Sequence, residues 1–184
     1  GRPVHLNVAG NSERSAPGIE AAAERVLRLV LLRMATGLRV YTARVSYRGA
    51  DRLDITRKSA GPEGLAFAPS WAILRPALDA RNRAVPLLAR AKDPACPMAD
   101  AADADQEAWA IEVEAWARYA PAFEAEMRAS WQANRAAWEA LLLRREVTLC
   151  CYCSAWPGSA ELHCHRRLCA SLLVKCGAVD MGER

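Results

Sequence analysis

The chain has 184 residues and a mass of 20.1 kDa, a size that one ordinary core can fill. Hydrophobic residues make up 52% and charged ones 25%, which excludes a compositionally disordered chain. The net charge of +4 hides two opposed regions: residues 1–58 carry eleven Lys and Arg against five Asp and Glu, and residues 100–126 carry eight acids against Arg118 alone.

The basic first third suits phosphate, nucleotide or nucleic acid as a partner, or else forms a solvated arginine face. The longest apolar stretch, residues 26–38, is broken by Arg28 and Arg33 and falls short of the roughly 20 apolar residues a membrane crossing needs. No membrane association is expected. The amino end shows no basic run followed by an apolar region and a small-residue cleavage site, so no secretory signal is expected. Seven cysteines, six of them between 150 and 176, do not spread as a secreted disulfide framework would, and they predict reduced thiols in the cytoplasm.

In chain order, residues 4–8 (VHLNV) read as a strand and the small and polar residues 9–18 as a loop. Ile19, Ala23, Val26, Val30 and Met34 recur at helical spacing, with Ser15 and Pro17 as start signals and Gly37 as a stop. Residues 38–45 (LRVYTARV) predict a second strand, followed by a polar hairpin or active-site loop. Prolines and glycines recur from 60 to 100 and predict short helices or turns there. Asp103, with Gln106 three residues later, reads as the N-cap of a long helical segment reaching Arg145, kinked or split at Pro121. Along it Trp109, Trp116, Tyr119, Phe123, Met127, Trp131 and Trp138 make an aromatic stripe expected to be mostly core.

EVTLCCYC (146–153) predicts a strand, SAWPGSAEL a loop, His163 to Cys176 a helix closed by Gly177, and AVDM a last short strand. Strands alternating with helices predict one layered, Rossmann-like α/β domain over 1–184, with a mostly parallel sheet and a long helical insertion. Its parts are a strand–loop–helix unit at 1–37, a strand with Pro/Gly-rich loops at 38–100, a helical segment at 101–146 and a Cys/His strand and helix at 147–184. Ligands collect at the carboxyl ends of strands in such sheets, which marks the loops 9–17 and 152–163.

Alternation along the last long strand puts Cys151 and Cys153 on one side, Cys150 and Tyr152 on the other. Cys164 falls at a predicted helix start, where amide groups, the helix dipole and Arg166 favour a thiolate. It is therefore a candidate nucleophile, with His165 or His163 as proton carrier. The alternative is zinc, held by Cys151, Cys153, Cys164 and one histidine, His163 being the candidate. Cys169 and Cys176 suit core packing. Several known motifs are absent: the residue six after Cys164 is Ala170 and not the Arg of a phosphatase loop, and no deaminase zinc pattern, P-loop, Gly-x-Gly-x-x-Gly or Gly-x-Ser-x-Gly occurs.

VTLCCYC followed by HCHRRLCASLLVKCGA resembles the signature of a bacterial and phage family known as domain of unknown function 488, in which a strand ends in Leu-Cys and Cys-His-Arg opens a helix closed by Gly-Ala. Cys151, Cys164, His165 and Arg166 match, while Cys153 stands where the family often has an acid. VYTARVSYRGADRLDITRKSAG is similar to the amino-terminal region of phage-type members, with Asp54 and Arg57 as matching candidates, so that the resemblance spans 39–184. LNVAGNSERSAPGIEAAAERVL, within 4–34, resembles a fragment of circularly permuted nucleotide-binding molybdenum carrier proteins. That resemblance implies a phosphate resting near Asn7, Gly10, Ser12 and Ser15.

These readings together predict an α/β enzyme-like protein for a phosphate-bearing ligand, a nucleotide or nucleic-acid component. Cys164 and Cys151 would supply thiol chemistry, His165 acid/base function, and Arg166, Arg57 and Arg48 anion contacts, with Asp54 beside them and no cofactor. The alternatives are a non-catalytic nucleotide or nucleic-acid binding module and a structural zinc protein.

Overall fold

The computed structural model describes residues 17–21, 23, 24, 27, 37–153 and 163–184. The chain divides into two compact units, Gly1–Thr36 and Gly37–Arg184. In the first, residues 19–21, 23, 24 and 27 are helical, inside the helix that the Ile19–Ala23 spacing predicts. The expected strand 4–8 and the loop bearing Asn7, Gly10, Ser12 and Ser15 lie outside the described residues.

The second unit is built on a four-stranded sheet of β1 (Arg39–Arg44), β2 (Arg52–Asp54), β3 (Glu146–Cys151) and β4 (Val179–Glu183), in the order β2-β3-β1-β4. Every pairing is parallel. The expected mostly parallel, Rossmann-like layout is what the chain adopts. β1 and β2 are not a hairpin: β3 lies between them, because residues 45–51 carry the chain across the end of the sheet instead of turning it back. β3 is central and buried from Val147 to Cys151, as its near-continuous apolar run requires when both faces are covered. β4 is an exposed edge strand, and its register against β1 shifts between Val40 and Thr42. Gly182, at φ 85°, supplies the left-handed residue such a bulge uses.

Between β2 and β3 lies the helical insertion: α1 (Pro62–Leu65), α2 (Trp71–Ala91), α3 (Met98–Ala133) and α4 (Arg135–Leu142); α5 (His165–Lys175) then joins β3 to β4. Two expectations change here. The Pro-rich stretch holds a 21-residue helix, α2, with Pro76 and Pro86 inside it. Both prolines lie on its exposed face, as do Ala72 and Asn82 four residues before them, so the carbonyls that lose an amide partner can bond to water. Pro121 likewise leaves α3 unbroken; the helix ends at Asn134, whose backbone (φ −118°, ψ 38°) is non-helical. Its start is also earlier than Asp103, at Met98 after Pro97.

α2 and α3 pack through small side chains: Ala84 and Leu88 meet Ala108, with Leu87 and Ile111 alongside. The aromatic stripe of α3 divides. Tyr119, Phe123 and Met127 are buried, as is Trp138 on α4, whereas Trp109 is exposed. Gly64 of α1 has a steric reason, since a Cβ there would overlap the Asp54 carbonyl. Gly177, at φ 103°, ends α5 as expected. No helix among the described residues is long and apolar enough to cross a membrane.

Candidate functional site

The carboxyl ends of the strands and the amino end of α5 meet at the cysteines. Cys151 closes β3, Cys153 follows on the same side of the chain, Cys164 is the residue before the first turn of α5, and His165 is its first helical residue. The three sulfurs and a ring nitrogen of His165 all lie within 4.8 Å of one another. Cys151 Sγ and Cys164 Sγ are 2.8 Å apart as free thiols, and the Cys153 amide donates to Cys151 Sγ at 3.3 Å. Cys150 faces away and is tied to the Thr148 carbonyl.

Two neighbours fix this group. His165 Nε2 is 3.0 Å from the Ile55 carbonyl oxygen; a carbonyl only accepts, so Nε2 carries the hydrogen and the remaining lone pair is on Nδ1. Arg166 is 1% exposed. It donates to the Ala43 carbonyl at 2.9 Å, the Cys153 carbonyl at 3.2 Å, Cys151 Sγ at 3.7 Å and Glu183 Oε1 at 2.5 Å. The guanidinium therefore ties β1, β3 and β4 to α5 and sets a positive charge beside the sulfurs. Buried and committed to these partners, it is engaged within the protein where an anion contact was expected from sequence.

Burial and hydrogen bonds within the cluster work against a thiolate at Cys164. Burial, reinforced by hydrogen bonds with Cys151 and Cys153, pushes the Cys164 thiol well above its ordinary value. Cys151 is pushed up to about 12, first by its hydrogen bond with Cys153. Cys153 goes the other way: hydrogen bonds from Cys151 and Cys164, with His165 adding to them, outweigh burial and hold it far below the usual thiol range. The helix start favours a negative charge in the cluster, but the charge settles on the sulfur that the other groups surround.

His163 is not part of this group, which replaces it with His165 in the candidate metal set. Its ring stacks on Trp116 at 4.8 Å between centroids and on Trp109 at 5.8 Å, and Nδ1 lies 3.5 Å from Glu112 Oε1. Two aromatic neighbours on α3, a turn or two apart, hold the imidazole away from the sulfurs. On that side a cavity of about 70 Å³ is lined by Cys153, Cys164, His165, His163, Tyr119 and Glu112, among others. Both His163 Nδ1 and Tyr119 Oη are buried with no hydrogen-bond partner among the described residues, a cost of about 1–3 kcal/mol each where nothing compensates.

Asp54 is 8% exposed and saturated: it accepts from the Thr56 amide at 2.9 Å and from Ser59 Oγ at 2.8 Å, and pairs with Arg52 at 3.0 Å. Its role here is to shape residues 54–59, which present the Ile55 carbonyl to His165. Arg48 is exposed and folds back onto the Val45 carbonyl at 3.0 Å. Arg57, half-buried, has no partner among the described residues, and neither arginine lines the cavity. Sequence reasoning missed Glu183, Ile55, Tyr119 and Glu112. Nothing in an exposed edge strand singles out Glu183, but Glu112, Trp116 and Tyr119 stand at helical spacing and share one face, a signal that was there to use.

Residues 98–177 match the family model described as DUF488-N3a, the active DUF488-N3 subclade. That stretch, 98–177, is similar to the domain of unknown function 488 family, as the cysteine and histidine pattern suggests. The match covers α3, α4, β3 and α5, with Cys151, Cys164, His165 and Arg166, and does not reach Asp54 or Arg57. It does not extend to residues 4–34, so the molybdenum carrier resemblance rests on the sequence pattern alone. No curated protein and no solved structure matches the chain.

Proposed function

We propose that the DUF488-like unit binds one zinc ion through Cys151, Cys153, Cys164 and His165, and that this centre closes the end of the parallel sheet against α5. The observation that carries the reading is the His165 arrangement: three sulfurs converge with an imidazole whose Nε2 is tied to a backbone carbonyl. A zinc-bound histidine is commonly oriented in this way, through its second nitrogen. Around a tetrahedral ion, with Zn–S near 2.3 Å and Zn–N near 2.0–2.1 Å, ligand atoms sit about 3.5–3.8 Å apart; the four donors span up to 4.8 Å, and an ion would part Cys151 Sγ and Cys164 Sγ, 2.8 Å apart, by about 1 Å. Four protein ligands make a closed, structural site, and Arg166 beside Cys151 offsets the charge of three thiolates. Cys153, standing where the family often has an acid, supplies the fourth donor.

Metal analysis of protein purified from zinc-supplemented growth tests this. About one zinc per chain is expected, falling several-fold in Cys151→Ser and in His165→Gln. Cobalt exchange should give the visible bands of a tetrahedral thiolate site. Zinc-replete protein with well under half an ion per chain and no such bands would defeat the reading.

A second reading has one observation in its favour. Cys153 both lines the cavity and carries the favoured thiolate, so thiol chemistry, if the centre holds no metal, belongs to Cys153 and not Cys164. Iodoacetamide applied without chelator separates the two: selective alkylation of Cys153 in freshly purified protein supports free-thiol chemistry, and protection lifted only by chelation supports zinc.

A further inference from the structure

The cavity beside Cys153 contains two polar atoms that the protein leaves without hydrogen bonds. Tyr119 is 7% exposed and the His163 side chain 9%, yet neither Tyr119 Oη nor His163 Nδ1 is hydrogen-bonded among the described residues. Buried polar groups of a settled fold are almost always paired. The cavity volume of about 70 Å³ is several times the roughly 10–15 Å³ that one water requires. Ala77, Ala115 and Tyr119 line both this cavity and a groove of about 490 Å³ between α2 and α3.

From this geometry we infer that the cavity is a binding site for an uncharged planar carboxamide, the amide end lying between Tyr119 and His163 and the rest of the molecule running into the α2–α3 groove. The hydroxyl of Tyr119 donates to the amide oxygen, and the amide nitrogen donates to the Glu112 carboxylate, which His163 Nδ1 faces at 3.5 Å. The ionisable residues on the helical side of the cavity, Arg81 and Glu112, carry one charge of each sign, which favours a neutral group over an anion. Flat and small walls, Trp116, Ala77 and Ala115, suit a planar one. The site needs no ion at the sulfur cluster, so it stands or falls separately from the zinc reading.

Benzamide, titrated against zinc-analysed full-length protein by calorimetry and tryptophan fluorescence, is the test, with benzoate as the charged isostere. Benzamide should bind with a Kd below about 10 mM and at least about tenfold more tightly than benzoate. Tyr119→Phe should weaken benzamide about tenfold with zinc content unchanged and a melting temperature equal to or above that of the parent, because a buried hydroxyl without a partner is lost. Ala115→Leu, which fills the cavity while leaving both polar groups in place, should abolish binding. No binding of benzamide, tighter binding of benzoate, or full affinity in either variant overturns the inference; so does a Tyr119→Phe protein that melts several degrees lower, since its hydroxyl would then have had a partner already.

Discussion

Among the described residues, the buried side chains on the strand side of Cys153 bond widely, leaving only Arg166 Nε and Arg52 Nε without a partner, whereas on its helix side the Tyr119 side chain bonds through no polar atom at all. Arg166 reaches two carbonyls, a sulfur and Glu183, His165 is tied to Ile55, and Asp54 is saturated by Thr56, Ser59 and Arg52. Across the cavity Tyr119 Oη has no hydrogen-bond partner among the described residues, and His163 Nδ1 has only the Glu112 carboxylate, 3.5 Å away. Only Cys164 separates His163 from His165 in sequence, yet one stacks on indoles and the other lies against sulfurs. A fold stabilises itself through bonded networks and recognises ligands through groups that line a cavity; Arg166 and Asp54 bridge chain segments, whereas Tyr119 lines open space, and the proposed division into architecture and receptor rests on that difference.

The harshest way to break this contrast is to remove a sulfur from the paired side. Cys164→Ser should cost more than about 4 kcal/mol in urea unfolding, the range seen when a metal site is lost, and should release the zinc. Cys169→Ala, an equally buried thiol about one turn further along α5 and outside the cluster, should cost only about 1–2 kcal/mol and leave metal content alone. Similar losses for the two would mean that the cluster is ordinary packing. Next in size is Arg166→Met, which leaves Glu183 and two strand-end carbonyls without their donor and should cost about 3–5 kcal/mol. Arg166→Lys should recover little of it, because one ammonium cannot span partners on three strands. Full rescue by lysine would show that charge alone matters there.

Much of the paired side was legible in the sequence, because it is built from local rules. Strand alternation placed Cys151 with Cys153, the Cys-His-Arg run marked the start of α5, and Gly177 marked its end. What the sequence could not show was the proton distribution. Cys164 at a helix start looked like the activated thiol, but its burial and its sulfur neighbours are tertiary facts, and they work against the helix-end effect. Nor could spacing choose between His163 and His165, since residues two apart near a helix start point in directions set by what packs beside them; Trp109 and Trp116 decide it. The helical insertion misled for a related reason: Pro76, Pro86 and Pro121 read as breaks until the exposed face they occupy is known. For residues 1–16, whose expected strand and phosphate loop lie outside the described residues, the comparison stays with sequence.

The smallest effect sharpens the paired side from beneath. Asp54 is a carboxylate whose burial alone would raise its pKa, yet the Thr56 amide, with Ser59 and Arg52, holds it below the ordinary 3.8. A folded-state value below the unfolded one adds stability above the unfolded pKa, which is lost as pH falls through the folded one. Asp54→Asn keeps an acceptor but not the charge, so it should cost about 1–2 kcal/mol at neutral pH. The gap to the parent should hold down to about pH 4 and close below it. A gap that stays constant into strong acid would assign the loss to altered shape of residues 54–59 and not to the charge. Because that segment presents the Ile55 carbonyl to His165, zinc affinity should fall with the same substitution, and by more than it does for Arg48→Ala, whose side chain only folds back on its own turn.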